Sequence, residues 1–266
     1  MPIFHAIVLG IVQGLTEFLP ISSSGHLALV PWLFHWNELT RNHDLNQTFD
    51  VALHIGTFLG ALAYFWRDIW DIVFNRSRHR LGVLLVLSAI PAALVGVAFE
   101  STLANANEAL IGVMLIAFGL VLYWADQRVA TRAAEMGDRP FGPRDAAIMG
   151  IAQAVALQPG VSRSGVTISA GRLLGFDRES AARLSFLMAL PVIAGAGLEK
   201  GLKIMLNGGL APGLAAPFFW GMLASAVTGA FAVWGLLRLV KTHSFTPFVI
   251  YRVIAGLAVI AIYFAR

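Results

Sequence analysis

The stretch from residue 13 to residue 26 carries the side-chain types that bind phosphate and transfer protons. It holds an amide, a carboxylate, three hydroxyls and an imidazole, namely Gln13, Glu17, Ser22, Ser23, Ser24 and His26. The residues around them are largely apolar. Burying an ionisable group in a membrane segment costs about 2.5–3.5 kcal/mol on insertion scales, so such groups usually mark a functional site. We therefore expect a polar site in this part of the chain.

Gln13 and Glu17 are four residues apart, so on a helix they share one face, one turn apart. Their amide and carboxylate oxygens are hard ligands that suit Mg²⁺ or Ca²⁺, and these ions often share their remaining positions with water and a phosphate. The spacing predicts a divalent-cation site at Gln13 and Glu17. The alternative is structural, with Gln13 making an interhelical hydrogen bond and Glu17 protonated.

A second polar cluster follows Pro159 and Gly160 and contains Ser162, Arg163 and Ser164. A serine at a helix start can cap the free N–H groups, the positive end of the helix favours an anion, and a guanidinium can donate to two phosphate oxygens. We expect this loop to bind phosphate, and the serine run at residues 22–24 predicts a second helix start of the same kind. Two such helix starts facing each other suit a diphosphate. The alternative is a simple cap, with Arg163 extending to water.

Four other polar residues in apolar surroundings are harder to interpret. His26 lies one turn after Ser23 and could act as a general acid or base, although a lone histidine in a membrane is more often a packing group. Asp50 and His54 share a helix face and are expected to be structural or part of the entrance to the site. Arg252 stands within an apolar stretch with no motif around it.

The composition is that of a polytopic membrane protein: 58% of residues are hydrophobic, 13% are charged and the mean hydropathy is +0.73. There is no cysteine, which excludes disulfides, cysteine zinc sites and thiolate nucleophiles. The net charge of +4 is explained by basic loops of a bacterial inner-membrane protein, so we expect the lipid bilayer and no nucleic acid as a partner.

Six segments are long and apolar enough to cross a bilayer, which needs about 20 residues. They cover residues 49–66, 80–99, 108–125, 179–206, 216–240 and 246–264. Two further apolar pieces are interrupted and do not read as single spans. Residues 3–34 are broken at Pro20 and the serine run at 22–24, and the piece that begins at 146–157 is broken at Pro159 and the serine-containing run at 162–165. Irregular backbone at membrane depth needs protein or a water-filled cavity to satisfy it, so both pieces are predicted to be re-entrant helix–loop–helix hairpins.

The two hairpins resemble each other at a constant offset of 140 residues, as in Gln13 with Gln153 and Ser22 with Ser162. Downstream the offset is 137, and a constant offset across several elements indicates a duplication. We therefore predict one all-α membrane domain over residues 1–266, built from repeats at about 1–128 and 144–266. Three spans per repeat would invert the second copy relative to the first.

The arginine distribution predicts the orientation. Arginine and lysine are concentrated in the loops at 67–80, 128–144 and 238–241, which are therefore assigned to the cytoplasm; the opposite side carries only Arg41, Lys200 and Lys203. In this arrangement the hairpins enter from opposite faces and their tips meet near the midplane. Glu17, Ser23 and His26 would then face Arg163, in a site reached from the outer side.

The two motifs together resemble those of the bacterial undecaprenyl-diphosphate phosphatases. The resemblance rests on Gln13-xxx-Glu17 followed by residues 22–26, and on Pro159-Gly160-x-Ser162-Arg163-Ser164-x-x-Thr167, and it extends over nearly the whole chain. It implies an inner-membrane enzyme that needs a divalent cation, removes the terminal phosphate of the C55 lipid diphosphate, returns the carrier lipid to cell-wall synthesis and is associated with bacitracin resistance. The substrate-binding residues it implies are Ser22, Ser24, Gly25, Gly160, Ser162, Ser164 and Thr167.

For the chemistry we expect Glu17 and Gln13 to hold the cation, Arg163 to bind the diphosphate, and Ser23 to attack phosphorus with His26 moving the proton. Attack by a water activated by the cation stays open, with Ser23 only binding. A lipid-phosphate transporter or flippase is the alternative function, because transporters also place broken helices at the midplane. A homodimer is left open.

Overall fold

The structure is a computed structural model that describes residues 1–36, 43–103, 107–129, 140–206 and 212–266. These residues form α-helices joined by loops, and no strand occurs among them, in agreement with the predicted all-α class. The helices are α1 (Ile3–Phe18), α2 (Ser23–Phe34), α3 (His43–Tyr64), α4 (Trp66–Phe74), α5 (His79–Leu87), α6 (Ile90–Leu103), α7 (Glu108–Val129), α8 (Pro143–Val155), α9 (Arg163–Leu173), α10 (Arg178–Leu206), α11 (Ala215–Val240) and α12 (Thr246–Ala265).

Among the described residues, five helical segments are long and apolar enough to span a membrane, and a sixth is bent. The five are His79–Ala98, which combines α5 and α6, Glu108–Arg128, Arg178–Lys203, Ala215–Val240 and Thr246–Ala265. They correspond to five of the six predicted spans. The segment predicted at 49–66 falls mostly within Leu45–Tyr64 and ends at the first residue of the next helix. Leu45–Tyr64 meets the same criterion only together with Trp66–Phe74, and the two are bent by 77° relative to each other.

The two polar clusters lie in helix–loop–helix units whose helices are short. The first unit is α1 and α2, and the second is α8 and α9. Helix α1 ends because the residue before a proline is driven out of the helical region: Leu19, which precedes Pro20, is extended with φ −65° and ψ 140°. In the second unit Gly160 supplies a left-handed turn with φ +92°, which glycine adopts without strain.

Helix α1 is fixed against α11 by a close backbone approach. A Cβ atom added at Gly10 would lie 2.2 Å from the carbonyl oxygen of Gly221, so only glycine permits this distance. Helix α11 in turn packs on α3, and α12 packs on α7. The main apolar core includes Phe18 and Phe186, whose rings meet edge to face with centroids 5.2 Å apart. This packing holds the C-terminal end of α1, which carries Glu17, inside the protein.

The outer surface of the helices is apolar, as expected for a protein surrounded by lipid. Val97, Leu198 and Phe264 are more than three-quarters exposed. Together with the long apolar helices, this surface makes the protein a multi-pass membrane protein. Of the charged residues used for the orientation, Arg41, Arg132 and Arg139 lie outside the described residues.

Candidate active site

Glu17 is the centre of a buried polar cluster formed by both hairpins. Its Oε1 accepts a hydrogen bond from Nη2 of Arg163 at 2.8 Å, and its Oε2 accepts one from the Ser23 hydroxyl at 2.6 Å. The Gln13 amide also donates to Oε2, at 2.9 Å. The carboxylate is almost fully buried, and an ion pair removed from water is much stronger than one on a surface. The first hairpin therefore supplies the carboxylate and a hydroxyl, and the second supplies the guanidinium.

The tips of the two hairpins are hydrogen-bonded to each other. The Ser22 hydroxyl accepts the backbone N–H of Gly160 at 3.2 Å, and the Ser164 hydroxyl donates to the carbonyl of Leu19 at 3.0 Å. Gly160 also lies too close to α7 for any side chain, because a Cβ there would be 2.6 Å from the Ile111 carbonyl oxygen. These contacts fix the two helix starts relative to each other.

Ser22 and Ser162 cap α2 and α9 in the same way. Each hydroxyl accepts the backbone N–H three residues on, from Gly25 at 3.3 Å and from Gly165 at 3.1 Å. Both serines have a positive φ, 76° and 75°, which is uncommon outside glycine and is often found at functional sites. The backbone N–H groups in the first turn of each helix have no partner within the helix, so both starts favour an anion.

Arg252 joins both tips from behind. It is completely buried, and its guanidinium donates to the carbonyls of Pro20 (3.1 Å) in the first loop and of Gly160 (2.9 Å) and Val161 (3.0 Å) in the second. It also donates to carbonyls of α7, at Leu115 and Met114. The sequence shows Arg252 as an isolated charge in an apolar stretch but predicts no role for it, because its partners are backbone atoms and leave no motif.

A cavity of about 420 Å³ opens beside Glu17, and its wall carries Ser23, Ser24, Ser162 and Arg163. Within the described part of the chain, three buried side-chain polar atoms make no hydrogen bond, and two of them belong to this cluster: Oε1 of Gln13 and Nη1 of Arg163. The third is Oε1 of Gln153, on α8. Buried polar atoms are rarely left without a partner, so an unpaired donor on Arg163, which lines the cavity, and an unpaired acceptor on Gln13, which bonds Glu17, indicate a ligand site.

Asp50 and His54 line the same cavity, and the sequence did not reveal how close His54 lies to Glu17. Nε2 of His54 lies 3.5 Å from Oε2 of Glu17, and its Nδ1 lies 2.7 Å from the carbonyl oxygen of Asp50. The pair was expected to be structural or part of the entrance. Its spacing showed a shared helix face, but only packing of α3 against α1 brings that face to Glu17.

Two predicted site residues point elsewhere. The ring nitrogens of His26 contact the carbonyl oxygen of Ser22 and the hydroxyl of Tyr251, both at 2.7 Å, and His26 does not line the cavity. The Thr167 hydroxyl bonds the Arg163 carbonyl and lies 2.6 Å from the hydroxyl of Ser185 on α10. Thr167 therefore supports the start of α9, and the proton-transfer role of His26 stays a prediction.

Comparison with known proteins agrees with the two motifs. The family model described as "Bacitracin resistance protein BacA" matches residues 6–258. The chain belongs to this family. Among curated members, a protein of Pelotomaculum thermopropionicum is 45% identical, and the alignment covers all of this chain and 98% of the relative. A protein of Geobacter sulfurreducens is 46% identical, and the alignment covers 100% of both chains. A protein of Pelobacter propionicus is 47% identical over 98% of this chain and 97% of its own length. All three are named undecaprenyl-diphosphatase.

The side-chain oxygens around Glu17 fit a hard divalent cation only in part. The unpaired Gln13 oxygen beside the Glu17 carboxylate is a suitable ligand. In the described ranges, however, no group of three or more histidine, aspartate or glutamate side chains is placed to hold a metal. Mg²⁺ usually takes one or two carboxylates and completes its shell with water and phosphate oxygens, so these residues fit an ion that arrives with a phosphate ligand.

Proposed function

We propose that this chain hydrolyses undecaprenyl diphosphate to undecaprenyl phosphate and inorganic phosphate, which returns the lipid carrier to cell-wall synthesis in the bacterial inner membrane. Full-length similarity to relatives named undecaprenyl-diphosphatase supports this activity and favours it over a lipid-phosphate transporter. The observation that carries the proposal is the buried Glu17–Ser23–Arg163 cluster, with its unpaired Arg163 Nη1 at a cavity.

In the proposed reaction the diphosphate binds between the two helix starts. Arg163 donates from Nη1 to a phosphate oxygen, and the first N–H groups of α2 and α9 bind the others. Ser24 and Ser162 line the cavity at this position. Ser22 and Ser164 bond the two tips to each other, and Gly25 and Gly160 allow the close packing of the tips. Phosphoryl transfer needs mainly positioning and neutralisation of charge on the equatorial oxygens, and this arrangement supplies both.

Ser23 is the proposed nucleophile. Its hydroxyl already donates to Glu17 at 2.6 Å, so the proton can pass to that carboxylate as the Ser23 oxygen bonds to the terminal phosphorus. The bond from that phosphorus to the bridging oxygen breaks, and undecaprenyl phosphate leaves. Water then hydrolyses the phosphoserine and releases inorganic phosphate. The hydrogen bond favours Glu17 over His26 as the proton acceptor of Ser23.

A divalent cation, Mg²⁺ or Ca²⁺, is proposed to bind with the substrate at Gln13 and Glu17. It would place positive charge beside the phosphate oxygens. The attraction strengthens as negative charge develops on these oxygens in the transition state. Isothermal titration of Mg²⁺ into protein saturated with a non-hydrolysable methylene diphosphonate lipid tests this independently of turnover. We expect binding that Gln13→Leu weakens, and equal binding to both proteins would contradict the assignment.

The decisive experiment measures phosphate release by the purified protein from undecaprenyl diphosphate, with and without EDTA. We expect release that EDTA abolishes and that excess Mg²⁺ or Ca²⁺ restores. Liposomes carrying the same protein provide the test of the alternative: movement of the lipid diphosphate without phosphate release would make the protein a carrier.

Trapping tests the nucleophile. With substrate labelled at the terminal phosphate, an acid quench is expected to leave label on Ser23, and Ser23→Ala is expected to remove both the label and turnover. A Ser23→Ala protein with near-normal turnover would instead favour direct attack by water.

We also propose that the two helix–loop–helix units are re-entrant and belong to inverted repeats, with the cavity open to the outer face. The shared cap geometry of Ser22 and Ser162 supports the duplication. Because the chain has no cysteine, single cysteines can be introduced and labelled directly. Cysteine at residue 24 should react with an impermeant reagent added outside intact cells, and cysteine at residue 76 only after the cells are opened. Labelling of both from outside would reject this orientation. The homodimer stays a prediction.

A further inference from the structure

A second cavity, of about 590 Å³, adjoins the polar cavity between α3, α10 and α11. The two cavities share Val51 and Gly197 in their walls. Among the described residues that line the second cavity, only Thr48 has a polar side chain; the others are apolar, among them Ile55, Leu202 and Met222. A polar chamber lined by Glu17 and Arg163 therefore lies directly beside an apolar groove, with Val51 and Gly197 in the walls of both.

The groove is also open toward the lipid-facing surface. Leu198 and Phe219, both in its wall, are 76% and 54% exposed. Moving a hydrocarbon chain from water to apolar walls is favourable. For a chain that comes from lipid, the favourable free energy arises only from close packing against those walls. A groove of this kind suits a long flexible hydrocarbon that begins at the polar cavity and passes out among the lipid chains.

A larger apolar cavity, of about 720 Å³, lies between α3, α5 and α10, but its walls have no residue in common with those of the polar cavity. Its lining includes Phe58, Val83 and Ala194. Size and apolarity alone would favour this larger cavity as the site of the lipid chain. A ligand with its charged end at Arg163 needs a continuous path, and only the smaller groove shares wall residues with the polar chamber.

We propose that the groove between α3, α10 and α11 binds the first isoprene units of the substrate's prenyl chain, whose diphosphate occupies the polar cavity. The proposal rests on the proposed function, since it takes the headgroup position from it. The chain enters past Val51 and Gly197 and runs along α10 toward Gly201. Gly201 lies four residues beyond Gly197, which is about 6 Å along a helix axis.

Gly201 offers a way to fill the groove without disturbing the fold. A Cβ atom added there meets no atom of the described residues within 4 Å, and its helical backbone accepts any L-residue except proline without strain. Gly201→Leu should therefore occupy the chain's path. Gly195 is the matched control, because it lies on the same helix, also has open space at its Cβ, and lines none of the three cavities.

The experiment measures kcat and KM for phosphate release from undecaprenyl diphosphate and from isopentenyl diphosphate, whose C5 chain ends before Gly201. For Gly201→Leu we expect KM for the C55 lipid to rise about 10-fold or more, because blocking an apolar subsite typically costs that much, and KM for the C5 compound to change less than about twofold. Gly195→Leu should leave both values within about twofold of wild type.

Two further variants keep the proposal falsifiable. Phe219→Ala widens the groove at an exposed position and should raise KM for the C55 lipid alone, even if Gly201→Leu does not fold. Ala194→Leu narrows the larger cavity and should leave both substrates unaffected. A selective C55 effect from Ala194→Leu, or equal losses for both substrates from Gly201→Leu, would overturn the groove assignment. If the wild-type protein releases phosphate from neither compound, the proposed function fails instead.

Discussion

Two buried carboxylate–arginine centres exist in the described part of this protein, and they differ in how completely they are hydrogen-bonded. At the first, Glu17 pairs with Arg163, but Nη1 of Arg163 and Oε1 of the adjacent Gln13 have no partner. At the second, Oδ1 of Asp126 accepts from Nε of Arg172 at 3.0 Å and from Nε of Arg178 at 2.8 Å. Both carboxylates are buried, and the hydrogen bonding around them differs.

The Asp126 centre is complete. Oδ2 of Asp126 accepts the backbone N–H of Phe245 at 3.3 Å, and the remaining Arg172 donors reach the carbonyls of Phe176 and of Asp126 itself. Within the described residues, none of its buried side-chain polar atoms lacks a partner. A satisfied buried network fixes the packing of helices, whereas an unsatisfied one beside a cavity is prepared for a ligand. Ion pairing alone would not have separated the two.

Removing one arginine from each centre should give the largest contrast. Arg163→Ala is expected to lower kcat/KM for phosphate release by about 10³–10⁵, the range found when an arginine that neutralises a transferring phosphoryl group is lost. Arg178→Ala removes a partly exposed arginine of the Asp126 centre and should leave kcat/KM within about threefold. Equal losses in the two variants would mean that the centres do not differ in function.

Neutralising the second carboxylate should reverse the pattern. Asp126→Asn leaves the guanidinium of Arg172 buried without its counter-charge, and breaking such a pair typically costs about 3–5 kcal/mol. We expect a clear fall in the thermal unfolding midpoint in detergent, while the folded fraction keeps its turnover. Loss of turnover at an unchanged midpoint would place Asp126 in the catalytic machinery.

A further variant tests how far the positioning of the first centre depends on Arg252. Arg252→Lys keeps the charge, but an ammonium cannot reach carbonyls on both tips and on α7 together. A small misplacement of the helix starts would lower kcat/KM by about 10². We expect both kcat and the KM for the diphosphate to change. The thermal unfolding midpoint should fall less than it does in Asp126→Asn. Wild-type kinetics would show that the tips hold their positions without it.

The smallest effect is expected at an exposed ion pair, between Arg183 on α10 and Asp68 on α4. Both side chains reach solvent, so screening reduces their attraction, and such pairs contribute about 0–1 kcal/mol. Asp68→Asn should shift the unfolding midpoint by no more than a few degrees and leave turnover unchanged. A shift as large as that of Asp126→Asn would show that burial does not determine how much an ion pair of this protein contributes to stability.

The sequence predicted the parts of the site that carry a local pattern. The four-residue spacing of Gln13 and Glu17 predicted their shared face, and the two serine runs predicted capped helix starts. Which serine forms each cap, Ser22 and Ser162, comes from the structure. Five of the predicted spans also follow from apolar length alone. These features depend on neighbours in the chain, so one sequence suffices to see them.

The missed features depend on contacts between distant segments. Arg252 bonds carbonyls more than 90 residues away in the chain, and carbonyl oxygens have the same chemistry at every position. His54 reaches Glu17 only because α3 packs against α1, and no spacing within α3 encodes that contact. His26 shows the converse, since its proximity to Ser23 in sequence suggested a partnership, whereas its ring turns to Tyr251 on α12.

The position of Arg252 in the chain also has a consequence for biosynthesis. Its contact with Pro20 joins residues 232 positions apart, and its contacts with Gly160 and Val161 join residues about 90 positions apart. A membrane protein is synthesised and inserted from its N-terminus, so both hairpins leave the ribosome long before this arginine does. Until residue 252 is inserted, the loop carbonyls that it bonds lack that donor. The two tips therefore gain all of the contacts that fix them only once α12 has been inserted.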